Sequence, residues 1–260
     1  MHPSEIEPEL RPAAGPIVGA IPARYGSTRL PGKVLMSIAG KPMIEHVWRR
    51  ASQADGLERV VVLTDDPRIA DAAAAFGADC EMTPGECASG TDRVAWAARS
   101  WQAAAVVNIQ GDEPLIEPAA ITALAEHLRD HPRDQVATMA APAADGDLEN
   151  PDVVKVVVDS RGYALYFSRA PIPYPRGPGG ATARRHVGIY GYQREALLRL
   201  AALEPTPLER SESLEQLRAL ENNIPIRVLP VERAWWGVDT IEDLQTVDRF
   251  LLEQLQAGSG

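Results

Sequence analysis

Short apolar runs alternate with helix-like stretches from Ile17 to Arg129, and this alternation constrains the fold more than any other feature. Compact apolar runs bounded by polar residues are typical of buried strands, whereas helical spacing of apolar residues indicates helices. The runs predict strands at 17–21, 59–64, 81–83 and 104–110. The stretches between and after them predict helices at 42–54, 67–76, about 91–101 and 118–129. Such alternation predicts an α/β fold, a Rossmann-like and mainly parallel sheet flanked by helices.

Polar side chains follow the predicted strands where each strand ends. The segments concerned are 24–33, 64–65, 89–93 and 110–112. In open α/β sheets the ligand binds beyond the carboxyl ends of the strands. We therefore expect these segments to meet at one ligand site.

The loop after the first strand, Ile21 to Lys33, carries three cations and two glycines. Arg24, Arg29 and Lys33 supply the guanidinium and ammonium groups that hold phosphate oxygens. The loop is therefore a candidate polyphosphate clamp, with a solvated basic loop as the alternative. It is not a Walker A loop, because Ser27 stands where that pattern requires Gly and Val34 follows the lysine.

Two carboxylates follow strand-like runs and are candidate Mg²⁺ ligands. Asp112 comes directly after the 104–110 run, and Asp239 precedes a predicted capping box at 240–243. Magnesium usually takes one or two protein carboxylates together with phosphate oxygens. Either residue could instead be an ordinary turn aspartate. Together with a phosphate clamp they form a set suited to nucleotidyl transfer.

The pattern changes after residue 135, where strand signals dominate. A hairpin is predicted from 153–159 and 164–168, a loop from 171–180 and a strand from 186–192. Further signals predict helices at 194–203 and 212–221 and a strand at 226–230. We therefore predict a disordered leader at 1–15, a nucleotide-binding α/β domain from 16–135 and 204–257, and a smaller, mainly β lobe inserted at 136–203.

His186 and Tyr190 lie four positions apart on one predicted strand, so they face the same side. Arg169, Arg184 and Arg185 are near them in sequence and form a cationic set suited to a carboxylate substrate. A surface role is the alternative for this set, and spacing alone favours that alternative.

Composition narrows the function classes. The chain has 260 residues, is 45% hydrophobic and carries a formal net charge of −10. Such acidity argues against general binding of nucleic acid, which needs a basic surface. No run approaches the length of a membrane span, and the N-terminus has no apolar core of a signal peptide, so we expect a cytoplasmic protein with no membrane partner. Cys80 and Cys87 are too few for a disulfide framework.

Nine segments, in order along the chain, resemble the 3-deoxy-manno-octulosonate cytidylyltransferase family, the CMP-Kdo synthetases, where Kdo is 3-deoxy-manno-octulosonate. The resemblance extends from about residue 17 to 253. Its segments are 21–33, 40–43, 64–65, 89–93, 108–114, 164–169, 186–192, 214–218 and 237–240. Each motif alone is weak, and their common order makes the match specific.

The resemblance implies a nucleotide-diphospho-sugar transferase fold and the reaction of CTP with Kdo to give CMP-Kdo and pyrophosphate, for lipopolysaccharide biosynthesis. It implies Mg²⁺ bound by Asp112 and Asp239 and a homodimer that pairs through the smaller lobe. The implied catalytic residues are Arg24, Arg29, Lys33, Asp112 and Asp239. The implied nucleotide-binding residues are Arg24, Ser27, Arg29, Lys33, Thr64, Asp65, Ser89, Gly90, Thr91, Arg93 and Gln110. The implied sugar-binding residues are Gln110, Arg169, His186, Tyr190, Glu215 and Gln216.

Three positions depart from the family pattern. Cys87 stands where the family has a His, the 171–185 loop is short, and Trp235-Trp236 replace smaller residues. Two alternatives remain at this stage. One is a cytidylyltransferase for another 2-keto sugar acid, such as a sialic acid or 8-amino-Kdo. The other is a non-catalytic protein that binds a nucleotide or a sugar acid.

Overall fold

A computed structural model describes residues 15–26, 30–177 and 180–257 of the chain. Its strands are β1 (Ile17–Pro22), β2 (Ser37–Ile38), β3 (Lys41–Pro42), β4 (Arg59–Thr64), β5 (Asp79–Met82), β6 (Ala105–Asn108), β7 (Val136–Pro142), β8 (Lys155–Val158), β9 (Ala164–Ser168), β10 (Arg184–Gln193) and β11 (Ile226–Pro230). Its helices are α1 (Met43–Ala51), α2 (Pro67–Ala75), α3 (Gly90–Ala98), α4 (Pro118–Asp130), α5 (Arg194–Ala201), α6 (Pro207–Glu212), α7 (Gln216–Glu221) and α8 (Ile241–Ala257). A short 3₁₀ turn covers Lys33–Leu35.

One nine-stranded sheet organises the molecule, with the order β11-β7-β10-β6-β1-β4-β5 and with β8 and β9 beside this path. The pairs β6–β1, β1–β4, β4–β5 and β11–β7 are parallel. Strand β10 is antiparallel to both β6 and β7. The predicted α/β class with a mainly parallel sheet is confirmed.

Both faces of the sheet are covered because its strands are apolar on both sides. Ile17 and Ile21 of β1 face a cluster that includes residues of α1, α2 and α4. Val18 and Ala20 of the same strand face the opposite cluster, which includes residues of α3, α5 and α7. This alternation follows from the two-residue period of a strand. Among the described residues, no helix is long and apolar enough to span a membrane.

The chain changes direction across the sheet between β1 and β6. It runs outward from β1 to β4 and β5, and then returns through α3 to β6 on the other side of β1. A crevice forms at such a switch point beyond the strand ends. Here the two chain segments pass very close together, because a Cβ on Gly111 would lie 3.0 Å from the Pro22 carbonyl oxygen. Glycine at 111 therefore allows the loop after β6 to lie against the end of β1.

Sequence patterns also located most of the helices and strands in the second half of the chain. The predicted hairpin is present as the antiparallel pair β8–β9. The single helix predicted at 212–221 is wrong, because Ser213 adopts φ +53° and separates α6 from α7. Strand β7 was not predicted. It and β10 lie inside the central sheet, although both belong to the segment 136–203 that we assigned to a separate lobe. The division into domains stays a prediction, and the leader at 1–15 lies almost entirely outside the described residues.

Candidate functional site

A cleft of about 300 Å³ lies at the switch point between β1 and β6. We call it the strand-end cleft. Segments that are far apart in sequence contribute to it, as expected for the carboxyl edge of a parallel sheet. Its lining comprises Pro22, Ala23, Arg24, Lys33, Val34, Cys87, Ser89, Gly90, Arg93, Gln110, Gly111, Asp112 and Asp239.

Lys33 lies between the two carboxylates that the sequence proposed as metal ligands. Its Nζ is 2.7 Å from Asp112 Oδ2 and 3.1 Å from Asp239 Oδ1. Burial by itself lowers the pKa of Lys33, but the two carboxylates outweigh that effect, so the pKa is raised above its ordinary value. Since both carboxylates contact one nitrogen, the structure shows that they converge on a single positive charge.

The turn before Lys33 fixes the position of its side chain. Gly32 has φ +71°, and its N–H donates to the Tyr25 carbonyl at 2.8 Å. Glycine adopts this left-handed conformation without the steric cost that a Cβ adds. The 3₁₀ turn that follows buries Lys33, which is only 8% exposed. The loop therefore directs one of its cations inward, toward Asp112 and Asp239.

Arg93 is a second buried cation of the strand-end cleft. It is 3% exposed, and its guanidinium lies 3.2 Å from Asp65 Oδ2. It also donates to the Thr83 hydroxyl and, at 3.4 Å, to the Pro84 carbonyl. Neither Asp65 nor the buried Thr64 lines the strand-end cleft. The contact of Asp65 would orient Arg93, and the nucleotide-contact role predicted for Thr64 and Asp65 stays a prediction.

The N-terminal end of α3 borders the strand-end cleft and a second one. Ser89 caps this helix through a reciprocal box with Asp92, with both hydrogen bonds at 3.1 Å. Burial raises the pKa of Glu215, at the start of α7, and the nearby Thr91 and Ser89 offset only part of the effect. Glu215 therefore lies close to the first turn of α3.

The second cleft, of about 270 Å³, is lined largely by aromatic and apolar side chains. We call it the aromatic cleft. It shares Gly90 and Gln110 with the strand-end cleft, so the two cavities are neighbours. Its lining comprises Gly90, Thr91, Gln110, Val154, His186, Gly188, Tyr190, Tyr192, Leu200, Leu214, Glu215 and Gln216. A mostly apolar concavity with a few polar groups is typical of a small-molecule site.

Thr138 fixes the tautomer of His186. The Thr138 hydroxyl donates to the Ile189 carbonyl at 2.8 Å, and its oxygen lies 2.9 Å from His186 Nε2. Because a hydroxyl has one proton, its oxygen must accept from the Nε2–H group. Nδ1 of the neutral ring is then left as a hydrogen-bond acceptor. Burial lowers the pKa of His186 to about 3, which keeps the imidazole neutral at physiological pH.

The lowered pKa of His186 predicts a specific pH dependence of stability. Between pH 3 and 6.5 the unfolded chain binds a proton at this residue and the folded chain does not, so the free energy of unfolding rises with pH. We expect His186→Gln to flatten the slope between pH 5 and 6.5, by up to about 1.4 kcal/mol per pH unit. Urea unfolding at several pH values measures it. His131→Gln, at an exposed site, is the matched control, and equal slopes for the two variants would contradict the assignment.

Arg169 lies in a different cavity from most of the other predicted sugar-binding residues. Its Nε and Nη1 donate to the carbonyls of Glu212 and Pro151, both at 3.0 Å. It lines a third cavity, of about 580 Å³, together with His186, which also lines the aromatic cleft. The structure therefore does not place Arg169 beside Tyr190, Glu215 and Gln216.

The third cavity also contains residues that precede Asp239. Trp235, Trp236 and Gly237 line it together with Glu113. We call it the tryptophan cavity. Burial raises the pKa of Glu113 to about 7, against the opposing effect of a hydrogen bond from Trp235. The sequence pattern indicates the two tryptophans but not Glu113 as the partner of Trp235.

Most of the predicted site residues do come together. The strand-end cleft collects Arg24, Lys33, Ser89, Gly90, Arg93, Gln110, Asp112 and Asp239, and the aromatic cleft collects Thr91, Gln110, His186, Tyr190, Glu215 and Gln216. Ser27 and Arg29 lie outside the described residues. Sequence reasoning missed Tyr192, which the two-residue period from Tyr190 could have identified. It also missed Thr138, because no local pattern indicates a contact across two strands.

The strand-end cleft contains two carboxylates, those of Asp112 and Asp239. No group of three or more His, Cys, Asp or Glu side chains that could hold a metal occurs among the described residues. Two carboxylates alone do not make a complete cage for a hard cation. They suit Mg²⁺ that completes its six ligands with water and substrate phosphate oxygens.

Comparison with known proteins agrees with this geometry. A protein-family model described as cytidylyltransferase matches residues 18–228. A solved CMP:2-keto-3-deoxy-manno-octonic acid synthetase, in complex with CTP, is 45% identical to this chain, with a TM-score of 0.89. The alignment covers 92% of this chain and 99% of that one. The fold and the site therefore define a cytidylyltransferase, an enzyme of the nucleotidyltransferase class.

Curated relatives specify the family. The 3-deoxy-manno-octulosonate cytidylyltransferase of Syntrophotalea carbinolica is 47% identical over 245 residues, which cover 90% of this chain and 98% of the relative. The enzyme of that name from Solibacter usitatus is 49% identical and covers 94% of this chain and 98% of its own length. The chain belongs to the 3-deoxy-manno-octulosonate cytidylyltransferase family.

Proposed function

We propose that this chain transfers CMP from CTP to Kdo, giving CMP-Kdo and pyrophosphate. One observation carries the proposal, namely that the strand-end cleft and the aromatic cleft meet at Gly90 and Gln110. A charged cavity suited to a nucleoside triphosphate thus adjoins an aromatic cavity suited to a sugar acid. The relatives' names and the CTP complex of the solved neighbour support the choice of substrates.

The strand-end cleft is the proposed CTP site. Arg24 and Arg93 line it, and guanidinium groups bind phosphate oxygens in pairs of hydrogen bonds. The guanidinium of Arg93 is buried and already pairs with Asp65, so the exposed Arg24 is the more accessible of the two. Gly90 and Gly111 leave backbone close to the ligand, since neither has a side chain to block it. Arg29 lies outside the described residues. Its place in the proposed CTP site therefore rests on the sequence resemblance alone.

The aromatic cleft is the proposed Kdo site. Kdo is rich in hydroxyl groups, and the cleft supplies matching acceptors and donors on an apolar wall. Nδ1 of the neutral His186 accepts, Gln216 does both, and Glu215 accepts once ionised. Arg169 and Arg185, in the neighbouring tryptophan cavity, would give positive charge near the substrate carboxylate.

Asp112 and Asp239 are the proposed Mg²⁺ ligands. They fit such a role because both already converge on one positive charge, that of Lys33, while remaining partly open to the cleft, with 37% and 56% of their side chains exposed. Bound there, Mg²⁺ would supply positive charge to the triphosphate and increase the acidity of the attacking hydroxyl. The ammonium of Lys33 would then lie beside both the metal and the phosphates.

The reaction itself is an in-line displacement. The anomeric oxygen of Kdo forms a bond to the α-phosphorus of CTP, and the bond from that phosphorus to the α,β-bridging oxygen breaks. Pyrophosphate leaves with the electron pair, and the hydroxyl proton passes to solvent. The cleft contributes chiefly by positioning the reactants and by stabilising charge, as is usual for transfer at phosphorus.

Comparison of sugar acids tests the proposal. Pyrophosphate release is measured with CTP and, in turn, Kdo, 8-amino-Kdo and a sialic acid. We expect release to require both CTP and a sugar acid and the largest kcat/KM with Kdo. A larger kcat/KM with another acid would reassign the substrate. A protein that binds CTP yet releases no pyrophosphate with any of the acids would be a non-catalytic member of the family.

Further features of the account rest on the resemblance. The homodimer, the cytoplasmic location and the place of the product in lipopolysaccharide biosynthesis stay predictions, as does the smaller lobe at 136–203. They are consistent with the proposed reaction, and none of them is needed for it.

A further inference from the structure

The two proposed metal ligands lie on different loops, and those loops contact each other directly. Asp112 is on the loop after β6, and Asp239 is on the loop between β11 and α8. The Val238 N–H group donates to the Asp112 carbonyl at 2.9 Å. Gly237 also lies close to this oxygen, since a Cβ added to it would be 3.7 Å away. The separation of the two carboxylates therefore depends on how these loops are joined.

A side-chain hydrogen bond joins them a second time. Nε1 of Trp235 donates to Oε2 of Glu113 at 2.7 Å. Glu113 directly follows Asp112, and Trp235 lies four positions before Asp239. With the backbone hydrogen bond from Val238, the loop after β6 is held at two consecutive residues, and the loop before α8 is held at Trp235 and Val238. Two points of attachment limit rotation of one loop against the other, which a single one does not.

Trp235 is itself anchored to the protein interior. Its ring packs against two clusters of buried side chains, one on the sheet face of α1, α2 and α4 and one beneath α8. Glu113 is placed against β10 as well, since a Cβ on Gly188 would lie 3.7 Å from Oε1. Trp235 is therefore held by packing, and Glu113 lies beside Gly188 of β10. A donor held in this way lets the hydrogen bond restrain the loop that carries Glu113.

We propose that the Trp235–Glu113 hydrogen bond is a positioning contact that sets the separation of Asp112 and Asp239 for a divalent cation. This inference rests on the proposed Mg²⁺ site. It assigns a role to the Trp235 indole, which sequence analysis treated only as a departure from the family pattern. Partners outside the ligand set commonly change metal affinity by about 10- to 100-fold when they are removed.

Direct measurement of Mn²⁺ binding tests the proposal. Electron paramagnetic resonance detects free Mn²⁺ during titration of the intact protein, without turnover. Trp235→Phe keeps the aromatic packing and removes the indole N–H, and we expect it to weaken Mn²⁺ binding by about 10-fold. Glu113→Gln keeps an oxygen that accepts from the indole, and we expect its affinity to stay within about 3-fold of the wild-type value.

Matched variants make the result decisive. Trp236→Phe alters the adjacent tryptophan, which packs on Phe250 and makes no hydrogen bond to Glu113, so we expect unchanged Mn²⁺ affinity. Thermal unfolding of each variant shows whether a change reflects loss of the fold. Wild-type Mn²⁺ affinity in Trp235→Phe would overturn the positioning role. So would a loss of Mn²⁺ affinity in Trp236→Phe as large as that in Trp235→Phe. Asp112→Ala distinguishes failure of the positioning role from failure of the metal site. Wild-type Mn²⁺ affinity in that variant would refute the metal site itself.

Discussion

Asp112→Ala is expected to lower kcat/KM by about 10³-fold at saturating Mg²⁺, the size of effect seen when one electrostatic stabiliser of a transition state is lost. Asp112 follows β6 at the switch point of the sheet and provides one of two carboxylates that converge on Lys33. Asp239 alone would hold a divalent cation weakly, because a second protein ligand would be missing. Steady-state kinetics over a range of Mg²⁺ concentrations measure the loss.

The control for that prediction is Asp71→Ala. Asp71 is exposed on α2 and lines neither of the two clefts nor the tryptophan cavity. We expect its kcat/KM to stay within about 3-fold of the wild-type value, since surface substitutions usually have small effects. Near-normal turnover of Asp112→Ala at saturating Mg²⁺ would contradict the metal assignment.

Lys33→Met is expected to lower activity by about 10²-fold or more and to make the stability of the protein depend on Mg²⁺. The buried ammonium neutralises Asp112 and Asp239, and a methionine leaves both carboxylates without it. Breaking a fully buried pair costs about 3–5 kcal/mol. Because these carboxylates are 37% and 56% exposed, solvent reduces the cost here to about 1–2 kcal/mol.

The effect on stability can be checked through the change in Tm that Mg²⁺ causes. A ligand stabilises the folded state in proportion to its occupancy, so Mg²⁺ should raise the Tm of Lys33→Met more than that of the wild type. Calorimetry with Mg²⁺ and with a chelator measures both shifts. Lys41→Met removes a half-exposed lysine that pairs with Glu45 and should respond to Mg²⁺ as the wild type does. Equal Mg²⁺ responses in Lys33→Met and Lys41→Met would show that Lys33 does not compensate the two carboxylates.

Sequence alone was sufficient for the parts of the fold that local patterns determine. Strands β4 and β11 have the predicted bounds, because their apolar runs are sharply limited by polar residues and turns. The capping box at Thr240 is present, with reciprocal hydrogen bonds to Asp243 at 2.9 and 3.1 Å. The convergence of polar segments at one cleft followed from the rule that parallel strands end on the same edge.

What the sequence could not predict depends on contacts between distant residues. Lys33 was assigned to phosphate, and its position between Asp112 and Asp239 depends on a turn at Gly32 and on two later loops. The break at Ser213 depends on a left-handed backbone conformation that no helical pattern shows. Arg169 lies close to His186 along the chain, but its guanidinium binds backbone carbonyls of α6 and of the 151 segment instead.

The bond made in the proposed reaction joins the anomeric oxygen of Kdo to the α-phosphorus of CTP. Kdo labelled with ¹⁸O at its anomeric hydroxyl tests this directly in a single-turnover reaction followed by ³¹P NMR and mass spectrometry. The account predicts equal amounts of CMP-Kdo and pyrophosphate, with the label in the oxygen that bridges phosphorus and sugar. Pyrophosphate accompanied by free CMP, or loss of the label from CMP-Kdo, would contradict it.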